Sequence, residues 1–205
     1  MFQNIKWLFF DVGSTLVDEA SAYSRRFQEI ASAAEVPYTL VYDTAVALYM
    51  ENRKGDKETA ARLGVPLPKW HSEEERLYPD AAACLEQLRK RYKIGIIANQ
   101  VPGTAKRLEQ HGVLQFIDLV IASAEEGVAK PDLRIFELAL ERSGCQPEEA
   151  VMIGDRIDND IIPAKQLGMH TVWIRQGFGI YWSIFSEAER PDRIVENLTE
   201  LCKIL

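Results

Sequence analysis

Short apolar runs recur along this chain, and each is followed by a turn and then by a longer stretch with helical spacing. Such alternation is typical of parallel sheets covered by helices. The runs are almost continuously apolar, as strands buried on both faces require. They lie at residues 5–10, 93–98, 119–122, 150–153 and 170–174. The sequence therefore predicts an α/β fold with a Rossmann-like parallel sheet and helices on both of its faces.

The interval between the first and second runs is too long for a single crossover connection. It contains no convincing strand, and instead carries three stretches with helical spacing, at residues 21–34, 40–52 and 58–63. We expect these stretches to form a small α-helical cap inserted after the first strand. The predicted organisation is a core domain of residues 1–16 and 79–205 and a helical cap of residues 17–78.

Charge and hydropathy exclude several classes of partner. The net charge of −7 offers no broad cationic surface for a nucleic acid or an anionic membrane. The longest apolar runs are far shorter than the ~20 residues that span a bilayer, and no signal-peptide pattern opens the sequence. We therefore expect a cytoplasmic protein that binds neither nucleic acid nor membrane, while oligomeric state has no signature in the sequence.

Polar side chains follow four of the predicted strands, at the edge where open parallel sheets bind their ligands. They are Asp11, Asn99, Lys130, Asp155 and Asp160. An aspartate at the end of a buried strand can attack phosphorus and form an aspartyl-phosphate. A lone aspartate in that position is, however, at least as often a cap of the following turn.

Asp155 and Asp160 are expected to join Asp11 in one acidic pocket. Because clustered carboxylates repel one another, and because oxygen ligands suit Mg²⁺, the pocket predicts a magnesium site. The acidic first turn of a helix is the alternative interpretation for Asp158 and partly for Asp160. An isolated Lys-Pro pair is usually plain surface, but Lys130 is expected to face the same edge, where its charge would offset that of transferring phosphoryl oxygens.

Four motifs in this order resemble those of the haloacid dehalogenase-like (HAD) hydrolase superfamily. The family's D-x-D-x-T is matched by residues 11–15 (DVGST), and its strand ending in Ser or Thr is matched in position by Ala98 before Asn99. The family's lysine is matched by Lys130, and G-D-x-x-x-N-D by residues 154–160 (GDRIDND). The resemblance extends from residue 5 to about residue 172, and the helical insertion is similar to the family's small cap.

The resemblance implies a Mg²⁺-dependent phosphatase that acts on a small phosphoester through an aspartyl-phosphate intermediate. It implies that Asp11 is the nucleophile and a metal ligand, and that Lys130 neutralises charge during catalysis. Asp155 is implied as a metal ligand, with Asp160 as a supporting carboxylate in the metal site. The family's remaining ligand in the first motif is a main-chain carbonyl, which Gly13 also supplies.

The first departure from the family pattern is Gly13, which stands where the family phosphatases carry a second aspartate as general acid and base. Loss of such a group typically removes ~10²–10⁴ in rate, so we expect slow hydrolysis or a preference for good leaving groups. On this basis Gly13→Asp is expected to raise the rate. Glu19, Ser14 and Arg156 are nearby candidates for a replacement, and none of them is assigned to the role.

The second departure is Ala98, which replaces the hydroxyl residue that holds a phosphoryl oxygen in the family. Asn99 or a main-chain N–H group is expected to substitute for it, so Asn99 and Lys130 are assigned to substrate binding. The cap shapes the pocket in such folds, and its residues do not identify the substrate beyond a small phosphoester.

Two other functions remain open. A carbon–halogen hydrolase also uses an aspartate nucleophile, but it expels halide without needing an acid or a metal, and the retained Asp155 and Asp160 argue against it. The other alternative is a catalytically impaired protein of the same fold that acts in regulation or binding. Gly13 and Ala98 favour that alternative.

Overall fold

The computed structural model describes residues 2–205, and its strands form two sheets. In chain order the strands are β1 (Trp7–Phe10), β2 (Val17–Asp18), β3 (Arg76–Leu77), β4 (Lys93–Ala98), β5 (Leu119–Ala122), β6 (Ala150–Gly154), β7 (His170–Ile174) and β8 (Arg193–Val195). Within the described residues, six strands form one sheet in the order β5-β4-β1-β6-β7-β8, and every pairing in it is parallel. The predicted α/β architecture is confirmed.

The helices connect these strands. They are α1 (Ala20–Ala33), α2 (Tyr38–Met50), α3 (Gly55–Arg62), α4 (Ala81–Leu88), α5 (Thr104–Gln110), α6 (Ser123–Glu126), α7 (Leu133–Ser143), α8 (Ile162–Gln166) and α9 (Leu198–Ile204). A π-helical turn, Ile157–Ile161, leads into α8. None of the helices in residues 2–205 combines the length and the apolar content that crossing a membrane demands.

Helices cover both faces of the large sheet, as the alternating side chains of its central strand show. Leu8 and Phe10 of β1 point into a cluster with residues of α4 and α9. Phe9 points to the opposite face, into a cluster with residues of α7 and α8. Strand β1 is therefore buried on both sides, which explains its uninterrupted apolar sequence.

Two features of the strands differ from the prediction. Strand β8 was not expected; of its three residues only Val195 is buried, so it carries no continuous apolar run. Residues 17–78 were expected to contain no strand, but β2 and β3 pair there in an antiparallel ribbon. That expectation was wrong because strands of two residues are too short to show any periodic pattern.

The three helices expected in the insertion are present as α1, α2 and α3, which we call the cap helices; the third begins at Gly55, earlier than the spacing indicated. Their apolar faces share one cluster with residues beyond the sheet. Phe27 and Ile30 of α1 and Ala45 of α2 belong to the same buried cluster as Ile161 and Trp182. The division into a core domain and a cap domain remains a prediction.

Phe178, in the loop after β7, connects the cap helices to the sheet. Its ring lies 4.7 Å from that of Tyr23, 4.8 Å from that of Tyr49 and 5.6 Å from that of Phe27, measured between centroids. Aromatic pairs at these separations stabilise packing beyond the area that they bury. The loop therefore fixes the position of α1 and α2 above the strand ends.

Phe178→Ala is expected to lower the free energy of unfolding by about 2–4 kcal/mol, because it removes a ring packed against three others. Urea denaturation followed by fluorescence measures the change. The matched control is Phe185→Ala, since Phe185 is 66% exposed and its loss is expected to change stability by less than about 0.5 kcal/mol. Equal stability of the two variants would contradict this account of cap docking.

Candidate active site

Asp11 and Asp155 lie beside each other because they follow two adjacent strands, β1 and β6. The N–H of Asp11 donates to the carbonyl of Ile153 at 2.9 Å, which continues the pairing of the strands as far as Asp11. One carboxylate oxygen from each of Asp11, Asp155 and Asp160 lies within 4.8 Å of the others. The structure thus brings Asp11 together with Asp155 and Asp160, which lie more than 140 residues further along the sequence.

Lys130 lies between two of these acids. Its Nζ is 2.9 Å from Asp11 Oδ1 and 2.6 Å from Asp160 Oδ1, and its side chain is 1% exposed. Burial alone would lower the pKa of Lys130, but the negative charges of Asp11 and Asp160 outweigh burial and hold that pKa above its usual value. The lysine is therefore a permanent cation at this edge of the sheet.

Asn99, which follows β4, holds the main chain of Lys130. Its Nδ2 donates to the Lys130 carbonyl at 2.9 Å, and its Oδ1 accepts from the Lys130 N–H at 2.8 Å. Two hydrogen bonds to the main chain of one residue fix the position and the orientation of the loop that carries Lys130. This gives Asn99 a role in positioning Lys130, while its direct contact with a substrate remains a prediction.

Asp160 is completely buried and anchored through both of its oxygens. Oδ1 accepts from Lys130, and Oδ2 accepts from the Arg156 N–H at 3.0 Å. The carboxylate turns back onto Gly154, where an added Cβ would lie 2.6 Å from the Asp160 Cβ. Burial raises the pKa of Asp160 to about 6 against the opposing effect of Lys130. Asp160 thus orients the lysine, and glycine at 154 provides the space.

Asp155 differs from its neighbours because its carboxylate has no donor. Among the described residues, no group donates a hydrogen bond to it, although its carbonyl accepts from Trp173 Nε1 at 2.8 Å. Burial, followed by the charges of Asp160 and Asp11, raises its pKa well above the usual value. Asp11 is similar in part: Oδ1 accepts from the Val12 N–H at 2.8 Å, whereas Oδ2 has no donor in residues 2–205. The site therefore retains uncommitted carboxylate oxygens.

A cavity of about 540 Å³ lies between the cap helices and the strand ends. From the cap side it is lined by Glu19, Tyr23, Arg26, Asp56, Lys57, Leu67 and Trp70, and from the sheet side by Asn99, Gln100, Val101, Ser123, Ala129, Arg156 and Asn159. Its volume is that of a small-molecule site. The wall is mixed, with cationic, aromatic and carboxylate side chains facing one space.

Arg156 forms part of that wall and is held from two sides. Its guanidinium pairs with Asp158 at 2.6 Å and lies 4.8 Å from the ring centroid of Trp182. Asp158 therefore pairs with Arg156, and Asp158 and Asp160 both lie in the first turn of the π-helical segment that leads into α8, as the helix interpretation expected. Arg156 lines the cavity, and its Nη1 has no hydrogen-bond acceptor within residues 2–205.

Gly13 faces Glu19, a contact that sequence reasoning did not identify. A Cβ at position 13 would lie 2.7 Å from Glu19 Cδ and 2.8 Å from Glu19 Oε2. The Glu19 carboxyl also accepts a hydrogen bond from Ser14 Oγ at 3.0 Å. Burial, and then the charge of Glu75, raises the pKa of Glu19 to about 8. The sequence does contain one signal for this contact, namely that an acidic residue, Glu19, follows shortly after a motif in which Gly13 replaces the second aspartate.

Lys130→Met is expected to destabilise the protein by about 3–5 kcal/mol, because it leaves buried carboxylates without their cation. Urea denaturation at neutral pH without divalent ions measures the loss. Lys93→Met is the matched control: Lys93 also pairs with an aspartate, Asp118 at 2.8 Å, but its side chain is 63% exposed. That pair is expected to contribute less than about 1 kcal/mol. Similar losses in the two variants would contradict the assigned role of Lys130.

Comparison with known protein families identifies the family of this chain. The family model described as haloacid dehalogenase-like hydrolase matches residues 5–168. The chain therefore belongs to the haloacid dehalogenase-like hydrolase family. This membership confirms the resemblance that the four sequence motifs indicated.

Several relatives in this family are named phosphatases. The chain is 32% identical to the glyceraldehyde 3-phosphate phosphatase of Pyrococcus furiosus, over 99% of this chain and 94% of that protein. It is 29% identical to the pyrimidine 5'-nucleotidase YjjG of Escherichia coli, over 88% of this chain and 93% of that protein. The match to the glyceraldehyde 3-phosphate phosphatase of Methanothermobacter thermautotrophicus is 34% identical over 63% of this chain, but spans only 59% of that relative's length.

Solved structures of two kinds share the fold. The HAD phosphatase from Thermococcus onnurineus superposes with a TM-score of 0.67 at 24% identity, covering 98% of this chain and 97% of that one. The 2-haloacid dehalogenase from Pseudomonas syringae superposes with a TM-score of 0.63 at 20% identity, covering 98% and 97%. Because phosphatase and dehalogenase both superpose, the fold alone does not decide between the two reactions.

Proposed function

We propose that this chain is a Mg²⁺-dependent phosphatase of a small phosphoester, and that it acts through an aspartyl-phosphate on Asp11. The proposal rests on the different hydrogen bonding of the two oxygens of the Asp11 carboxylate. Its Oδ1 is fixed by the Val12 N–H and by Lys130, whereas its Oδ2 accepts no hydrogen bond from the described residues. One oxygen is therefore anchored, and the other is free to attack phosphorus.

The reaction requires two displacements at phosphorus. In the first, Asp11 Oδ2 forms a bond to phosphorus while the bond to the leaving-group oxygen breaks. In the second, water attacks phosphorus and the bond to Asp11 breaks, which releases inorganic phosphate and restores the carboxylate. Lys130 stays within hydrogen-bonding distance of Asp11 and offsets negative charge that develops beside it.

The donor set fits Mg²⁺. Three carboxylates share the site with one lysine, and the buried Asp155 has no donor among residues 2–205, so a further cation would relieve the excess negative charge. Asp11, Asp155 and the Gly13 carbonyl would hold the ion, with Asp160 supporting them. When bound there, Mg²⁺ would polarise the phosphoryl group and offset its charge. The named phosphatases among the relatives support the phosphatase reaction.

Asp11→Asn is expected to abolish Mg²⁺-dependent phosphate release, since the amide is a poor nucleophile and forms no stable acyl phosphate. A panel of small phosphoesters, assayed for phosphate with and without Mg²⁺, measures the loss. Asp132→Asn is the matched control, because Asp132 caps α7 through the Arg134 N–H at 2.9 Å and asparagine caps equally well. That variant is expected to keep the wild-type rate.

Three results would contradict the proposal. Halide release from a 2-haloacid without metal, lost in Asp11→Asn, would make the chain a carbon–halogen hydrolase. Absence of both phosphate and halide release from the wild type would favour the regulatory or binding alternative. Phosphate release that survives Asp11→Asn would remove Asp11 as the nucleophile.

Mg²⁺ is expected to raise the melting temperature of the wild-type protein, by an amount equivalent to about 2.7 kcal/mol at a hundredfold excess over the dissociation constant. In Asp155→Asn this rise should disappear. Without Mg²⁺ the same variant should be more stable than the wild type, because it lacks a buried charge that has no partner. Differential scanning fluorimetry measures both effects, and Asp132→Asn should behave as the wild type. A Mg²⁺-dependent rise that persists in Asp155→Asn would place the ion elsewhere.

A further inference from the structure

Departure of an alkoxide from phosphorus requires a proton, and position 13 has no side chain to supply it. The hydrolysis proposed above therefore lacks its usual donor at Gly13. A replacement must reach the same place from another part of the chain, be able to carry a proton, and face the cavity. Geometry comes first in such an assignment, and acidity second.

Glu19 meets the requirement of place. Its Cδ lies 2.7 Å and its Oε2 lies 2.8 Å from the position of a Cβ at residue 13. The carboxyl group thus fills the space into which a side chain at position 13 would extend. Glu19 also lines the cavity, and retains some exposure there. The Glu19 carboxyl therefore occupies the place that a side chain at position 13 would take.

The Glu19 carboxyl is held in place by a constrained segment. Ser14 Oγ donates to Glu19 Oε2 at 3.0 Å, and Ser14 has a φ of +52°, in the left-handed region that non-glycine residues rarely adopt. Gln176 Nε2 donates to the carbonyl of Thr15 at 3.0 Å and so fastens this turn to the loop after β7. Strain retained at a site indicates that the position of this hydroxyl matters.

The surroundings of Glu19 suit a proton carrier. Within the described part of the chain, Glu19 forms no ion pair with a lysine, arginine or histidine, and its carboxyl accepts a hydrogen bond from Ser14 Oγ. Asp160, in contrast, is held by Lys130 and by the Arg156 N–H. Glu19 is thus a carboxyl without a cationic partner that faces the cavity.

We propose that Glu19 is the general acid and base of this enzyme, in place of the side chain absent from Gly13; this rests on the proposed phosphatase function. In the first displacement, the Glu19 carboxylic acid transfers its proton to the leaving-group oxygen as the bond from phosphorus to that oxygen breaks. In the second, the Glu19 carboxylate accepts a proton from the water whose oxygen attacks phosphorus. Glu19 is then protonated again, and phosphate leaves.

Glu19→Gln tests the two displacements separately. The first needs a proton from Glu19 only when the leaving group is a poor one, whereas the second needs Glu19 as a base with every substrate. With an alkyl phosphate, turnover is expected to fall by about 10²–10⁴-fold, because alkoxide is a poor leaving group. With 4-nitrophenyl phosphate, the nitrophenolate leaves without a proton, so the variant should release a rapid burst of about one nitrophenolate per enzyme before slow turnover. The burst arises because hydrolysis of the aspartyl-phosphate still needs the base. Stopped-flow absorbance measures it, and a loss of folding would not produce it.

Relocating the carboxyl group tests the proposal independently. Gly13→Asp alone would place two carboxyls in one space, so the rate increase expected of this change is tested with Glu19 removed. In Gly13→Asp combined with Glu19→Ser, the carboxyl returns to position 13. Turnover of the alkyl phosphate is expected to rise at least about tenfold above that of Glu19→Ser alone. Melting temperatures of all variants check that they fold.

Glu35→Gln is the control, since Glu35 is an exposed glutamate beyond the end of α1 and is expected to leave every rate unchanged. If Glu19→Gln keeps alkyl phosphate turnover within about threefold of the wild type while Asp11→Asn is inactive, the role of Glu19 is overturned and the phosphatase proposal stands. If Asp11→Asn retains activity, or the wild type releases no phosphate, the proposed function fails and the role of Glu19 fails with it.

Discussion

A buried ammonium group held between two carboxylates is the contact on which the site depends. Lys130 is removed from water, and such burial is tolerable only because Asp11 and Asp160 lie at 2.9 and 2.6 Å. The three residues come from three separate segments beyond the strand ends. The two ion pairs therefore connect these segments to one another.

The surrounding contacts divide the oxygens of this unit into anchored and free ones. Asn99 fixes the main chain of Lys130, and the Arg156 N–H fixes Asp160. Asp155 and one oxygen of Asp11 have no donor among the described residues. A site in which some carboxylates are immobilised, and others left without partners, is preorganised for ligands that bring positive charge or an electrophilic centre.

Much of this architecture could be predicted from sequence, because burial on both faces produces continuous apolar runs. The carboxyl ends of parallel strands share one edge, so the meeting of Asp11 and Asp155 follows from the strand positions, whereas Lys130 lies in a loop further from its strand. Strand β8 could not be predicted in this way, since only Val195 in it is buried. Glu19 could be named from the sequence only as one of three candidates, because its contact with Gly13 depends on a turn in which Ser14 takes a left-handed conformation that no periodic pattern encodes.

The short antiparallel ribbon has a mechanical consequence. Strand β2 ends at Asp18, Glu19 follows at once, and α1 begins at Ala20, while β3 returns the chain from the cap helices to the sheet. Glu19 therefore lies where the chain passes from the ribbon into the cap helices. Under the proposed role of Glu19, a movement that lifted these helices from the strand ends would also draw its carboxyl away from Asp11, so that ligand entry and proton transfer would need different positions of the cap helices.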